Sequence, residues 1–259
     1  MLKDFWGIGG YVREPEGYMS WQHLTFVSSL MVIMVLLSVV LGRRNRKKPY
    51  DDRNGVLKIS AVALVALKLV EIVAPCFINS DPKAWLYSLP LFLCDIQMIA
   101  LPLAAFCKGR FKEASMDFVA IFGILGAVFG TYCAGQNYAS YPVISYNNVL
   151  SGITHVVSGF ASLYVMIAGL TSMKKSNIWI TFAILLGFCV AAYVANVIID
   201  YNYMFLMRGD GTPYDIVYNL VNGNKALYPL SVVALFLLYI VVFYALQFAF
   251  ARKTKNHQK

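Results

Sequence analysis

Seven apolar stretches punctuate this chain, at about 21–41, 56–77, 86–107, 116–134, 149–170, 177–199 and 229–250. Each approaches the roughly 20 residues that a helix needs to cross the hydrocarbon core of a bilayer. Composition agrees: 59% of residues are hydrophobic and 14% charged, where a soluble domain has about a quarter charged. The expected fold class is all-α, a polytopic transmembrane helix bundle of about seven spans forming a single integral membrane domain over 1–259.

The net charge of +9 does not read as a nucleic-acid footprint, because the basic residues alternate between connecting segments. Arg43, Arg44, Arg46, Lys47, Lys48, Arg53 and Lys58 surround the first link, Lys108, Arg110 and Lys112 the third, Lys174 and Lys175 the fifth, and Arg252, Lys253, Lys255 and Lys259 the tail. The opposite side holds Lys3, Arg13, Lys83, Arg208 and Lys225, and Lys68 falls inside a span. By the positive-inside rule the N-terminus is expected outside and the C-terminus in the cytoplasm, as an odd number of spans requires, with the cell membrane as the location. The segment before the first span, "MLKDFWGIGGYVREPEGYMS", is mixed in charge and lacks a small-residue cleavage site, so it reads as part of the mature protein.

Cys76, Cys94, Cys107, Cys133 and Cys189 form no C-x-x-C pair and lie in or beside spans, which suggests neither a zinc site nor a disulfide framework. No metal and no cofactor is expected. The segments at 135–148 and 200–229 are rich in tyrosine, a residue that favours the headgroup level of a bilayer. Within the second, "RGD" at 208–210 is followed by Gly-Thr-Pro and reads as a turn.

Ionisable and polar groups in hydrocarbon cost a few kcal/mol on insertion scales, so those present are expected to face the bundle interior and mark a site. With alternating topology, helical spacing puts Cys94 roughly 8–12 Å below the outer surface, His155 roughly 9 Å, and Glu71 and Lys68 roughly 9 and 14 Å. Asn196 and Asp200 end the sixth span on that side, and His23 begins the first. Ser151, His155, Ser158 and Ser162 share one helical face, Cys94 and Gln97 another, and Asp95 points about 100° away from it.

A thiol beside an imidazole supports acyl transfer: the histidine removes the proton, the thiolate attacks an ester carbonyl, and a thioester passes its acyl group on. An apolar setting keeps a lone thiol protonated and inert, so Cys94 as nucleophile needs His155 as base. Lys68, Gln97 and Asn196 are candidate oxyanion donors, and Glu71, Asp200 and His23 complete the candidate substrate-binding set. The expected partners are membrane lipids as fatty acyl donor and acceptor, which points to a phospholipid acyltransferase or a lipase-like acyl hydrolase. A transporter or small-solute-binding protein using the same polar cavity is the alternative, and a scaffold whose polar groups only hold helices together is the third reading.

The stretches "LPLFLCDIQMIALPLAAF", "SGITHVVSGFASLY" and "NVIIDYNYMFL" resemble the YwaF-like family of bacterial integral membrane proteins over roughly 20–250. That family is similar to a vertebrate transmembrane protein regarded as a cysteine-dependent acyltransferase of ether phospholipids, and more distantly to membrane hydrolases of fatty-acid esters that use Thr and His. The resemblance implies Cys94 as nucleophile and His155 as its base, and marks His23, Asp200, Asn202 and Tyr203 as family features without an assigned role. One departure is Phe92, where relatives commonly carry a polar residue, often histidine.

Overall fold

The computed structural model describes residues 2–171 and 173–256; Lys259, counted above with the basic tail, lies outside them. Among the described residues there is no strand, and six helices are long and apolar enough to cross a membrane. The chain is a multi-pass membrane protein. Its contacts group into two compact units, Met1–Thr171 and Ser172–Lys259, described here in turn.

The first unit runs α1 (Leu2–Trp6), α2 (Trp21–Asn45), α3 (Tyr50–Ile78), α4 (Gln97–Phe106), α5 (Gly109–Tyr132), α6 (Gly135–Ser140) and α7 (Tyr146–Ile167). Ser20 starts α2 by accepting the backbone N–H of His23 at 3.2 Å, and Ser145 starts α7 by accepting that of Asn148 at 3.3 Å. Such caps satisfy amides that a helix leaves unpaired at its first turn. α5 and α7 are the inner helices: 44% and 56% of their apolar windows are buried, against 17–22% for α2 and α3, whose remaining apolar surface faces outward.

Small residues let these helices approach closely. A side chain at Gly123 would run into the Ser158 carbonyl at 2.6 Å, and one at Gly159 into Met34 and Ala127, so α7 lies tight against both α5 and α2. At one end of the unit basic side chains close helix C-termini. Arg53 donates to the carbonyls of Ala168 and Gly169 at 2.9 and 3.2 Å, and Lys112 donates to Ala105 at 3.1 Å. These carbonyls lack intrahelical donors and carry the negative end of the helix dipole.

At the other end, the segment preceding α2 straps across the start of α7. Arg13 donates to the Ile144 carbonyl at 2.9 Å, Glu16 accepts the Val143 N–H at 2.7 Å, and the Tyr11 hydroxyl accepts from Asn147 at 3.0 Å. Trp6 stacks on Tyr146 with centroids 4.9 Å apart. Burial holds the Tyr11 hydroxyl above its ordinary pKa, so it stays a neutral hydrogen-bonding group.

The expected third span differs. Only Gln97–Phe106 is helical, ten residues or about 15 Å, half of a bilayer core. A short 3₁₀ turn covers Ala84–Tyr87, and 88–96 passes through bends and turns. Pro90 lacks an N–H and drives Leu89 away from helical backbone. The chain re-enters helical geometry only where Asp95 and Ile96 both donate to the Phe92 carbonyl, at 2.9 and 3.1 Å.

The second unit comprises α8 (Ile178–Ile199), α9 (Tyr214–Leu220) and α10 (Leu227–Asn256). α8 ends at Asp200, whose backbone is left-handed (φ 52°), a conformation that stops a helix and that Asp adopts more readily than most residues. The loop beyond it is organised by Asn202, which donates to the Arg208 carbonyl at 2.8 Å and to Asp210 at 2.7 Å and accepts from Met207 N–H at 2.9 Å. Arg208 and Asp210 bond each other at 2.7 Å, so the "RGD" residues form a self-paired turn.

Candidate functional site

A small pocket in the first unit is lined by Leu64 and Lys68 of α3, Cys94 and Asp95 of the turn before α4, Met98 of α4, and Thr154, His155 and Ser158 of α7. It has room for about one water-sized group. Elements from three parts of the sequence reach one level here. Lys68 lies ten residues from the end of α3 and His155 nine residues from the start of α7, about 15 and 14 Å along the two helices.

Each side chain in the pocket has a definite electrostatic setting. Lys68, with its side chain 3% exposed, holds Glu71 Oε1 and Asp95 Oδ1 both at 2.8 Å. An ammonium has three N–H donors, so two serve the carboxylates and the third remains. Unpaired, any of these charges would be costly to bury. The Cys94 thiol, 3.8 Å from Asp95 Oδ1, donates to the same oxygen that Lys68 holds.

His155 is 9% exposed. Its Nδ1 lies 2.7 Å from the Ser151 carbonyl, and a carbonyl oxygen can only accept. Nδ1 therefore carries the hydrogen of the neutral ring, and Nε2 presents a lone pair. Nε2 is buried with no partner among the described residues, as is the hydroxyl of Ser158 one turn further on. The ring orientation that a general base needs is thus built in by the backbone one turn upstream.

α5 forms the floor. A Cβ placed on Gly130 would sit 2.0 Å from His155 Nε2, and one on Gly126 would sit 3.2 Å from the Cβ of Cys94. These glycines are four residues apart, on one face of the helix. Only hydrogen at Gly130 leaves space for the imidazole, and a side chain at Gly126 would press on the turn that bears the thiol.

The other candidate residues go elsewhere. Gln97 is buried and neither end of its amide has a partner, but it does not line the pocket. Helical geometry paired it with Cys94 and turned Asp95 away; because 93–96 is a turn, Asp95 joins Cys94 in the lining instead. His23 accepts the Met19 N–H at Nδ1 (3.2 Å), lies 3.2 Å from the Thr131 carbonyl at Nε2, and packs on Tyr138 at 3.9 Å. Nε2 ties α2 to α5, and Nδ1 is spent on the turn that precedes α2. In the second unit Asn196 accepts the Tyr203 N–H at 2.6 Å and donates to its carbonyl at 3.0 Å, while Asp200 provides the end of α8.

The sequence reading did not single out Gly126 and Gly130. The signal lay in the spacing of "GILGAVFG" at 123–130, three glycines recurring along one helix. It identifies a close approach but not what approaches.

Comparison with curated proteins and with solved structures finds no match. A family model does match, over residues 18–249, from just before α2 well into α10. The chain belongs to the TMEM164 family.

Proposed function

We propose that this membrane protein is a thiol-dependent acyltransferase that acts on membrane lipids, with Cys94 as nucleophile and His155 as general base. The observation that carries the reading is a shared pocket in which Cys94 stands with an imidazole whose Nδ1–H is held by the Ser151 carbonyl and whose Nε2 is unpartnered. The resemblance of "PLFLCD" and "GITHVV" to the YwaF-like family supports the same two roles.

In the first half-reaction the Cys94 S–H turns from Asp95 Oδ1 to His155 Nε2 and passes its proton there, and the sulfur attacks the carbonyl carbon of an ester-linked acyl chain. As the C–O bond breaks, the departing oxygen takes the proton from Nε2, which releases an alcohol and leaves a thioester. The remaining N–H of Lys68 is suited to the oxyanion of the tetrahedral intermediate. Leu64 and Met98 supply an apolar wall beside the acyl carbonyl. We place the site in the half of the membrane nearer the strap, since His155 is nine residues from the start of α7, and the positive-inside rule makes that half the outer leaflet. Phe92, in the turn that carries Cys94, replaces the polar group common in YwaF-like relatives, so His155 acts here without that second polar neighbour.

Solute transport draws less support. Lys68 is bound to one oxygen of Glu71 and one of Asp95, and Asn196 is committed to Tyr203.

Incubation of the purified protein in detergent with an alkynyl fatty-acyl donor tests the proposal. The expected result is a hydroxylamine-labile label on Cys94 that is absent in Cys94→Ala and reduced at least 100-fold in His155→Ala. A folded wild-type protein that takes no label, or a His155→Ala variant labelled at the wild-type rate, refutes it.

A further inference from the structure

An acyl-enzyme must be relieved by a second nucleophile, and the pocket contains a pair of groups with the spacing to hold one. His155 and Ser158 are separated by three residues on α7, which puts their Cβ atoms about 5–6 Å apart on one face. Both are more than nine-tenths buried and both line the pocket, and His155 Nε2 and Ser158 Oγ make no hydrogen bond among the described residues. The other hydroxyls of this stretch are committed: Thr154 donates to the Ser151 carbonyl at 2.8 Å and Ser162 to the Ala120 carbonyl at 2.6 Å. Of these three hydroxyls only that of Ser158 is without a partner among the described residues, and it lies one turn along α7 from His155. The backbone of Ser158 is fixed from behind, since its carbonyl lies where a side chain on Gly123 would be.

We infer that Ser158 and His155 together form the acceptor subsite, in which a single hydroxyl group, of water or of a lysolipid, is held between Ser158 Oγ and His155 Nε2 for attack on the thioester. This rests on the acyl-transfer reading above and specifies its second half. The acceptor O–H donates its proton to Nε2 while its oxygen attacks the thioester carbonyl. The tetrahedral intermediate collapses with loss of the C–S bond, and the Cys94 sulfur takes the proton back from Nε2. Ser158 Oγ–H donates to a lone pair of the acceptor oxygen not used in the attack, fixing its direction. The size of the pocket suits one hydroxyl with its substituent leaving through the opening, so Ser158 positions the oxygen and does not select what is attached to it.

The test separates the two half-reactions. Wild-type and Ser158→Ala proteins are loaded at Cys94 with the alkynyl acyl donor, freed of excess donor, and chased with buffer alone or with a lysophospholipid in mixed micelles. Because the Ser158 hydroxyl has no partner among the described residues, the variant should unfold at the wild-type temperature; loading is carried to completion before the chase, so its rate does not enter the comparison. Its thioester should decay about tenfold more slowly in both chases, the equivalent of one net hydrogen bond, and Ser158→Thr should recover part of that rate. Equal decay in wild type and Ser158→Ala overturns the inference while leaving Cys94 acylation standing. A Ser158→Ala protein that is markedly less stable overturns it too, by giving the hydroxyl a structural role. If wild-type Cys94 takes no label, the acyl-transfer reading itself fails, a result distinct from both.

Discussion

Replacing Lys68 by methionine keeps an unbranched apolar stem and removes the ammonium that Glu71 and Asp95 share. Each carboxylate oxygen is 2.8 Å from Nζ, so the two oxygens are separated by at most twice that, about 5.6 Å. Two unit charges at that distance repel by about 3 kcal/mol at an effective dielectric of about 20. Removal of one partner from a buried ion pair costs about 3–5 kcal/mol by mutational precedent, and the two figures agree. Lys68→Met should therefore lose about 3–5 kcal/mol of stability in a reversible SDS titration in mixed micelles. The triple variant Lys68→Met, Glu71→Gln, Asp95→Asn removes the repulsion along with the attraction and should regain most of the loss. A single variant within about 1 kcal/mol of wild type, or a triple variant no better than the single, would show that the carboxylates are not held by Lys68 as the geometry has it.

Two further predictions follow from the floor and from the second buried histidine. Gly130→Ala would put a methyl group 2.0 Å from where Nε2 now lies, so the ring must swing away; Cys94 acylation should fall at least tenfold, while a shift of the side chain lets the fold persist, as intrinsic fluorescence and thermal unfolding would register. An acylation rate equal to wild type would mean that the ring position is unimportant. His23→Ala breaks two hydrogen bonds and the packing on Tyr138 at the junction of α2 and α5 and should destabilise by about 2–4 kcal/mol, with per-molecule acylation of the folded fraction unchanged; its loss would instead assign His23 to the chemistry.

The depth argument placed Lys68, Cys94 and His155 at comparable levels because helical rise per residue is nearly constant and the apolar stretches locate the helix ends. That was enough to bring three distant parts of the chain to one pocket. The same argument overreached at 88–96, where it assumed helical rise and a helical wheel. Pro90 signalled a disturbance, yet its extent depends on where the next carbonyl finds donors, and this moved Asp95 into the lining and Gln97 out of it.

Chain class, six of the seven expected long apolar helices and the level of the buried polar groups were written in the sequence itself, because hydrophobic length and helical rise are local quantities that add along the chain. Partnerships were not. That Asp95 shares Lys68 with Glu71, that both nitrogens of His23 are spent while one of His155 is left over, and that two glycines of α5 make room for thiol and imidazole are decided by atoms far apart in sequence. Only packed helices bring such atoms within the few ångströms over which hydrogen bonds and steric exclusion act.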